Sequence, residues 1–215
     1  MFLFFIFPFL SFYFLVPPQK MSTSSADDTQ RALWNACDRN NLQSARSILR
    51  ADPHVSVNWK DENGVSCLHA ACRHDSTNIP VILLIHPDID PDPKNRAGET
   101  PFLQVCVRGY IPLVRLFLSD SRVLIHRPQL EEHSPLRATV EAGQVEVIKW
   151  IVASGRELNL QPPRNEWMYV HAVAGKVDIN KRMDAALILN RFVESPQRER
   201  AASKMALEQG SSKSS

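Results

Sequence analysis

Gly64-Val-Ser-Cys-Leu-His-Ala-Ala-Cys72 and Gly98-Glu-Thr-Pro-Phe-Leu-Gln-Val-Cys106 share one plan, and two further segments follow it: Ala32-Leu-Trp-Asn-Ala-Cys37 and Ser134-Pro-Leu-Arg-Ala-Thr139. Aligned on Leu33, Leu68, Phe102 and Leu136, they lie 35, 34 and 34 residues apart. Ser66, Thr100 and Ser134 hold the same place, where a hydroxyl can accept the orphan N–H groups that open a helix. Pro101 and Pro135 follow at the first helical position, where a missing N–H costs nothing. Seven residues past each anchor stand Asn40, Asp75, Gly109 and Gly143. The glycines suit the left-handed conformation that ends a helix. Asn40 is the next best residue for it, and Asp75 a weaker one.

A second apolar run follows each stop: Ala45 to Leu49, Ile79 to Ile85, Ile111 to Leu118 and Val145 to Val152. Pro80 and Pro112 are expected at the first position of their helices. Val145 to Val152 leaves Glu146 and Lys149 together at i and i+3. Two short helices cannot bury an apolar face alone, so stacked neighbours must cover it. The pattern resembles the ankyrin repeat, with its period near 33 and its T-P-L-H-x-A signature. Ser66-Cys-Leu-His-Ala-Ala71, Thr100-Pro-Phe102 and Gln144-Val-Glu-Val-Ile-Lys149 carry the likeness, which spans roughly residues 29–160. It implies an all-α solenoid of about four to five helix-turn-helix units, with His69 in a structural role. Trp34, Leu103 and Arg137 stand where the family has that histidine, which implies weaker bonding between repeats there.

The expected units lie near 29–60, 61–94, 95–128 and 129–162, with a degenerate cap at 163–195 around Val170 and Met183 to Val193. Residues 21–28 read as a polar lead-in and 196–215 as a polar tail, in which Gln197 to Leu207 can form one more helix. Gly210 to Ser215 is expected to be disordered. Residues 1–20 stand apart, because 2–16, FLFFIFPFLSFYFLV, are almost wholly apolar. The run is short of the ~20 residues a spanning helix needs, and Pro8 breaks it. No Lys or Arg precedes it and no small-residue cleavage site follows, as a secretory signal requires. Three readings stay open: a start at Met21, an imperfect signal or membrane anchor, or something else.

A formal charge of +2 gives no strong pull toward nucleic acid. Cys37, Cys67, Cys72 and Cys106 form no CxxC pair and read as free, buried thiols of a reducing compartment. Cys67, His69, Cys72 and His74 invite a zinc site. At about 100° per residue, however, Cys67 and His74 share one face of a helix while His69 and Cys72 lie nearly opposite. No metal or cofactor is therefore expected. No nucleophile elbow, phosphate loop, zinc-protease helix or dinucleotide fingerprint occurs.

The expected function is a cytoplasmic protein-interaction module, an adaptor, scaffold or inhibitor without catalysis. In the ankyrin family, loop tips and first-helix ends line the concave binding face. That resemblance implies Trp59, Lys60, Glu62, Arg73, His74, Lys94, Arg96 and Arg108 as contact residues. Asn63, Glu99, Val107, Leu130, Glu131, His133 and Glu141 fall on the same ridges. A loop tryptophan such as Trp59 reads either as an anchor for a partner or as packing on the neighbouring unit. The basic middle of the face suits an acidic partner, against the plain alternative of a solvated surface. Two other functions compete: a membrane-anchored or secreted protein through residues 1–16, and an enzyme with an unrecognised site. Because all the repeat punctuation follows Met21, a chain starting there should keep its fold. Its thermal melt should match that of the full chain, and an unfolded or insoluble product would overturn the assignment.

Overall fold

A computed structural model describes residues 23–125, 135–156 and 179–211. The apolar run at 2–16, Leu130, Glu131, His133, Ser134, Trp167 and Val170 lie outside the described residues. The described residues contain ten helices and no strand: α1 (Thr23–Asp38), α2 (Leu42–Ala51), α3 (Cys67–Ala71), α4 (Asn78–Leu84), α5 (Pro101–Arg108), α6 (Ile111–Ser119), α7 (Pro135–Glu141), α8 (Val145–Ala153), α9 (Ile179–Glu194) and α10 (Pro196–Ser211). They pack as five consecutive pairs. First helices run in a row, α1 on α3, α3 on α5, α5 on α7 and α7 on α9. Second helices do the same from α2 to α4 and from α6 through α8 to α10.

The helix boundaries follow the punctuation. Ser66 Oγ accepts the His69 N–H, and His69 Nδ1 accepts the Ser66 N–H in return. Thr100 caps α5 through the Leu103 N–H, with Pro101 first in the helix. Asn40, Gly109 and Gly143 all have positive φ, and Asp75 does not. Asn41 caps α2 through the Ser44 N–H. Pro80 and Pro112 sit one or two residues deeper than the first position expected of them, because α4 starts at Asn78 and α6 at Ile111. Both remain within the first turn, where no N–H has an intrahelical acceptor. Helix α1 begins at Thr23, inside the segment read as a polar lead-in. Helix α10 runs from Pro196 to Ser211, so Gly210 and Ser211 are helical where disorder is expected, and Leu207 is buried.

One apolar core threads the pairs, from Leu33 and Cys37 through Leu68, Leu83, Phe102 and Phe117 to Ile148, Ile151, Leu189 and Phe192. Side chains of each unit also reach back to backbone carbonyls of the unit before. His74 Nε2 donates to Asp38 O at 2.7 Å, Tyr110 Oη to Arg73 O at 3.5 Å and Gln144 Nε2 to Val107 O at 3.0 Å. Asp38, Arg73 and Val107 stand 35 and 34 residues apart at or just past the ends of the first helices, where carbonyls lack intrahelical donors. Side chains of the loops after the second helices also cross between units, some accepting and some donating. Asn58 Oδ1 accepts the Asp90 N–H at 2.9 Å, and Asp92 Oδ2 accepts the Leu124 N–H at 2.6 Å. Arg122 reaches Leu84 O, and Arg156 reaches Asp120 O and Val123 O.

His69 is fully buried, and its Nδ1 accepts, so Nε2 carries the proton and donates to Glu99 O at 3.0 Å. Trp34, expected to weaken the corresponding bond, instead makes it: its Nε1 donates to Val65 O at 2.9 Å. The indole N–H of Trp34 serves as the imidazole of His69 does, because only a donor at the right reach is needed. Leu103 offers no donor, and Arg137 turns to Glu141 at 2.8 Å.

Two measurements follow. Gly64 has φ of +74°, and an added Cβ would meet the Arg96 N at 3.0 Å and the Asn95 carbonyl carbon at 3.2 Å. Gly155 has φ of +75° but nothing within 4 Å. In urea melts G155A should lose about 1–2 kcal/mol from backbone strain, and G64A roughly 1–3 kcal/mol more from overpacking. Equal losses would show that the Gly64 approach does not matter. The second concerns pH. Burial lowers the His69 pKa below 6.5, so the folded imidazole stays neutral while the unfolded one takes up a proton. Stability should therefore be level above about pH 6.5 and fall below it, by up to ~1.4 kcal/mol per pH unit from this residue. H69Q should show a shallower fall between about pH 6.5 and 5; an unchanged slope would remove His69 as its source.

Candidate functional site

The loops that enter the second and third units fold into matching tight turns. Asp61 N–H donates to Val65 O, Gly64 N–H to Asp61 O, and Asp61 Oδ1 accepts the Asn63 and Val65 N–H groups. In the next unit Asn95 N–H donates to Glu99 O, Gly98 N–H to Asn95 O, and Asn95 Oδ1 accepts the Glu99 N–H. The short acidic or amide side chain opens the turn. The turns are tied together: Arg96 N–H donates to Asn63 O at 2.9 Å, and Lys60 Nζ to Lys94 O at 3.2 Å. His69 anchors the second turn from below through Glu99 O. The tips are therefore held by hydrogen bonds on both sides.

On these tips Lys60, Glu62 and Arg96 are exposed, while Lys94 is half-buried. The Glu99 carboxylate accepts from Asn95 Nδ2 at 2.9 Å and Gln104 Nε2 at 3.3 Å. Much of its charge thus faces its own turn and α5. Arg73 and Arg108 are exposed just past α3 and at the end of α5. Arg108 makes one long bond, 3.5 Å, to Cys72 O. Arg73 pairs with Asp38 and lies 5.9 Å above the Trp34 ring. Trp59 is half-buried and meets Trp34 edge to face, with ring centroids 6.5 Å apart. The loop tryptophan therefore packs on Trp34 of α1. His74 spends its Nε2 on Asp38 O. Glu141 pairs with Arg137.

The structure thus brings Lys60, Glu62, Lys94 and Arg96 together on linked turns, and groups Trp59 with Arg73. Sequence reading missed that Trp34 and Asp38 complete this second group. Their positions, one unit back from His69 and Arg73, were the available signal. It also missed a groove of about 360 Å³ between α4 and α6, lined by Val81, Leu84, Ile85, Leu116, Ser119, Asp120 and Ser121. Ile85 on its wall is 76% exposed. Asp120 at its end is gripped by Arg122 at 2.8 and 3.1 Å, which holds its carboxyl below the usual range.

The four cysteines are free and buried. Burial pushes the Cys72 and Cys106 thiols well above their usual range. For Cys37 the hydrogen bond with Cys67 adds to burial in the same direction. Such thiols stay protonated, and the thiolate is the nucleophilic form. Among the described residues no three His, Cys, Asp or Glu side chains gather as metal ligands. Both ring nitrogens of His69 and the Nε2 of His74 are already bonded within the protein. No described helix is long and apolar enough to cross a membrane.

No protein-family model matches the chain. It is similar to the SMC5-SMC6 complex localization factor protein 1 of Bos taurus, 30% identical over 109 residues, which are 50% of this chain and 10% of that protein. It is likewise similar to the Homo sapiens protein of the same name, 30% identical over 126 residues, 59% of this chain and 11% of that one. The chain spans about a tenth of the length of the curated relatives it matches.

Proposed function

We propose that the chain is an ankyrin-repeat array that binds another protein through its turn tips and first-helix ends, without catalysis of its own. One observation carries the reading. Chemically unlike side chains, His74, Tyr110 and Gln144, bond equivalent carbonyls in successive units. Serial units held in this way support a rigid, extended surface, and rigidity lowers the ordering cost of binding. The relatives are named as localization factors of a complex, and a role through contact with other proteins is in keeping with that name. The neutral, buried thiols favour binding over cysteine chemistry.

The partner we propose presents an acidic segment. Arg96 and Lys60 on the tips and Arg73 and Arg108 on the helix ends offer cations to it. Glu62 is the exposed opposing charge among the proposed contact residues on the tips, because Glu99 is engaged internally. Arginine suits carboxylates through its paired donors. The Trp34–Trp59 pair adds an aromatic flank of the kind that anchors partners. A peptide library panned on the full chain should yield Asp/Glu-rich sequences. The R73E/R96E/R108E chain should bind them at least ~10-fold more weakly, with a smaller salt dependence. Peptides without acidic bias, or equal binding by the variant, would show the basic surface to be merely solvated.

A further inference from the structure

Helix α9 turns Ala185, Leu189 and Phe192 into the core. Its opposite side is also partly apolar: Met183 is 50% exposed and Leu187 46%. On the adjoining α10, Met205 is 61% exposed. Met183 and Leu187 stand one turn apart on this side of α9, and an exposed apolar pair of this size suits a contact surface.

The charges around them are ordered. Met183, Asp184, Leu187, Arg191 and Glu194 fall at helical spacing on one stripe, and each is exposed. Lys181 is exposed on its flank. Asp184 and Arg191 form no ion pair with another described residue. Asp184 lies three residues before Leu187, and Arg191 lies four after it. Their midpoint lies between Leu187 and Ile188. If a second α9 lies antiparallel about a two-fold axis at that point, Asp184 faces Arg191 of the other copy and Leu187 meets Leu187. Each contact occurs twice, as an isologous interface demands.

We propose that the chain self-associates as an antiparallel dimer through this stripe of α9. The apolar centre supplies the attraction, and the charges set direction and register. A two-helix face is small, so the association is weak, with Kd on the order of micromolar to tens of micromolar. Sedimentation equilibrium of the full chain from about 5 to 500 µM tests it across that range. The expected result is a concentration-dependent dimer. L187D should raise Kd at least ~100-fold. D184R and R191D should each raise it about tenfold, and D184R/R191D should return it to within a few-fold of wild type. All three side chains changed are exposed, and a thermal melt of each variant verifies that it folds. A monomer throughout overturns the proposal. So does a dimer indifferent to L187D, as association through another surface would give, and so does a double reversal no better than the single ones.

Discussion

The carbonyl groups at the end of a helix have no partner within it, and the arrangement of this protein depends on where they find one. Asp38, Arg73 and Val107 each receive a donor from the following unit. The donors are an imidazole, a phenol and an amide, so the position in the unit matters more than the chemical type. The same is true of Trp34 and His69, which bond Val65 O and Glu99 O from equivalent places. Because each bond needs a neighbouring unit, these carbonyls are satisfied only when the units stack. Stacking thus buries apolar surface and completes the hydrogen bonding together.

This constraint also positions the candidate surface. The turn tips carrying Lys60, Glu62 and Arg96 are fixed by the Arg96–Asn63 backbone bond and by Lys60 on Lys94 O. Arg73 is tied to Asp38 and Arg108 to Cys72 O, so each helix end is held against the unit before. A partner would meet side chains whose backbone is already ordered, which leaves mainly side-chain freedom to be lost on binding.

Much of the architecture could be read from the residues, since caps and stops are local. Ser66, Thr100, Pro101, Asn40, Gly109 and Gly143 all act as their types suggest. The helix starts at Asn78 and Ile111 were less legible, because a proline is tolerated anywhere in a first turn and marks a start only to within a residue or two. The surface was legible in place but not in state. The sequence placed Trp59 in a loop and Arg73 after a helix, yet their packing on Trp34 depends on a neighbour some 25 to 39 residues away. His74 had equal claim to solvent until Asp38 O was found within reach. The exposure of Ile85, Met183 and Met205 was likewise hidden, since an apolar residue in a periodic run reads as buried until its neighbours are known.

The groove between α4 and α6 has a mechanical meaning. Consecutive second helices touch from α2 to α4 and from α6 through α8 to α10, while between α4 and α6 a groove opens. Beside the shared apolar core, directional bonds bridge the junction: Arg122 to Leu84 O, Asp92 to the Leu124 N–H, Tyr110 to Arg73 O and His69 to Glu99 O. Packed apolar surfaces yield gradually when pulled, because they can slide before they part. Hydrogen bonds lose their strength within a fraction of an ångström and outside a narrow angle. Under load this junction would act as a stiff but brittle seam, dividing the chain into an N-terminal segment of two units and a longer C-terminal one.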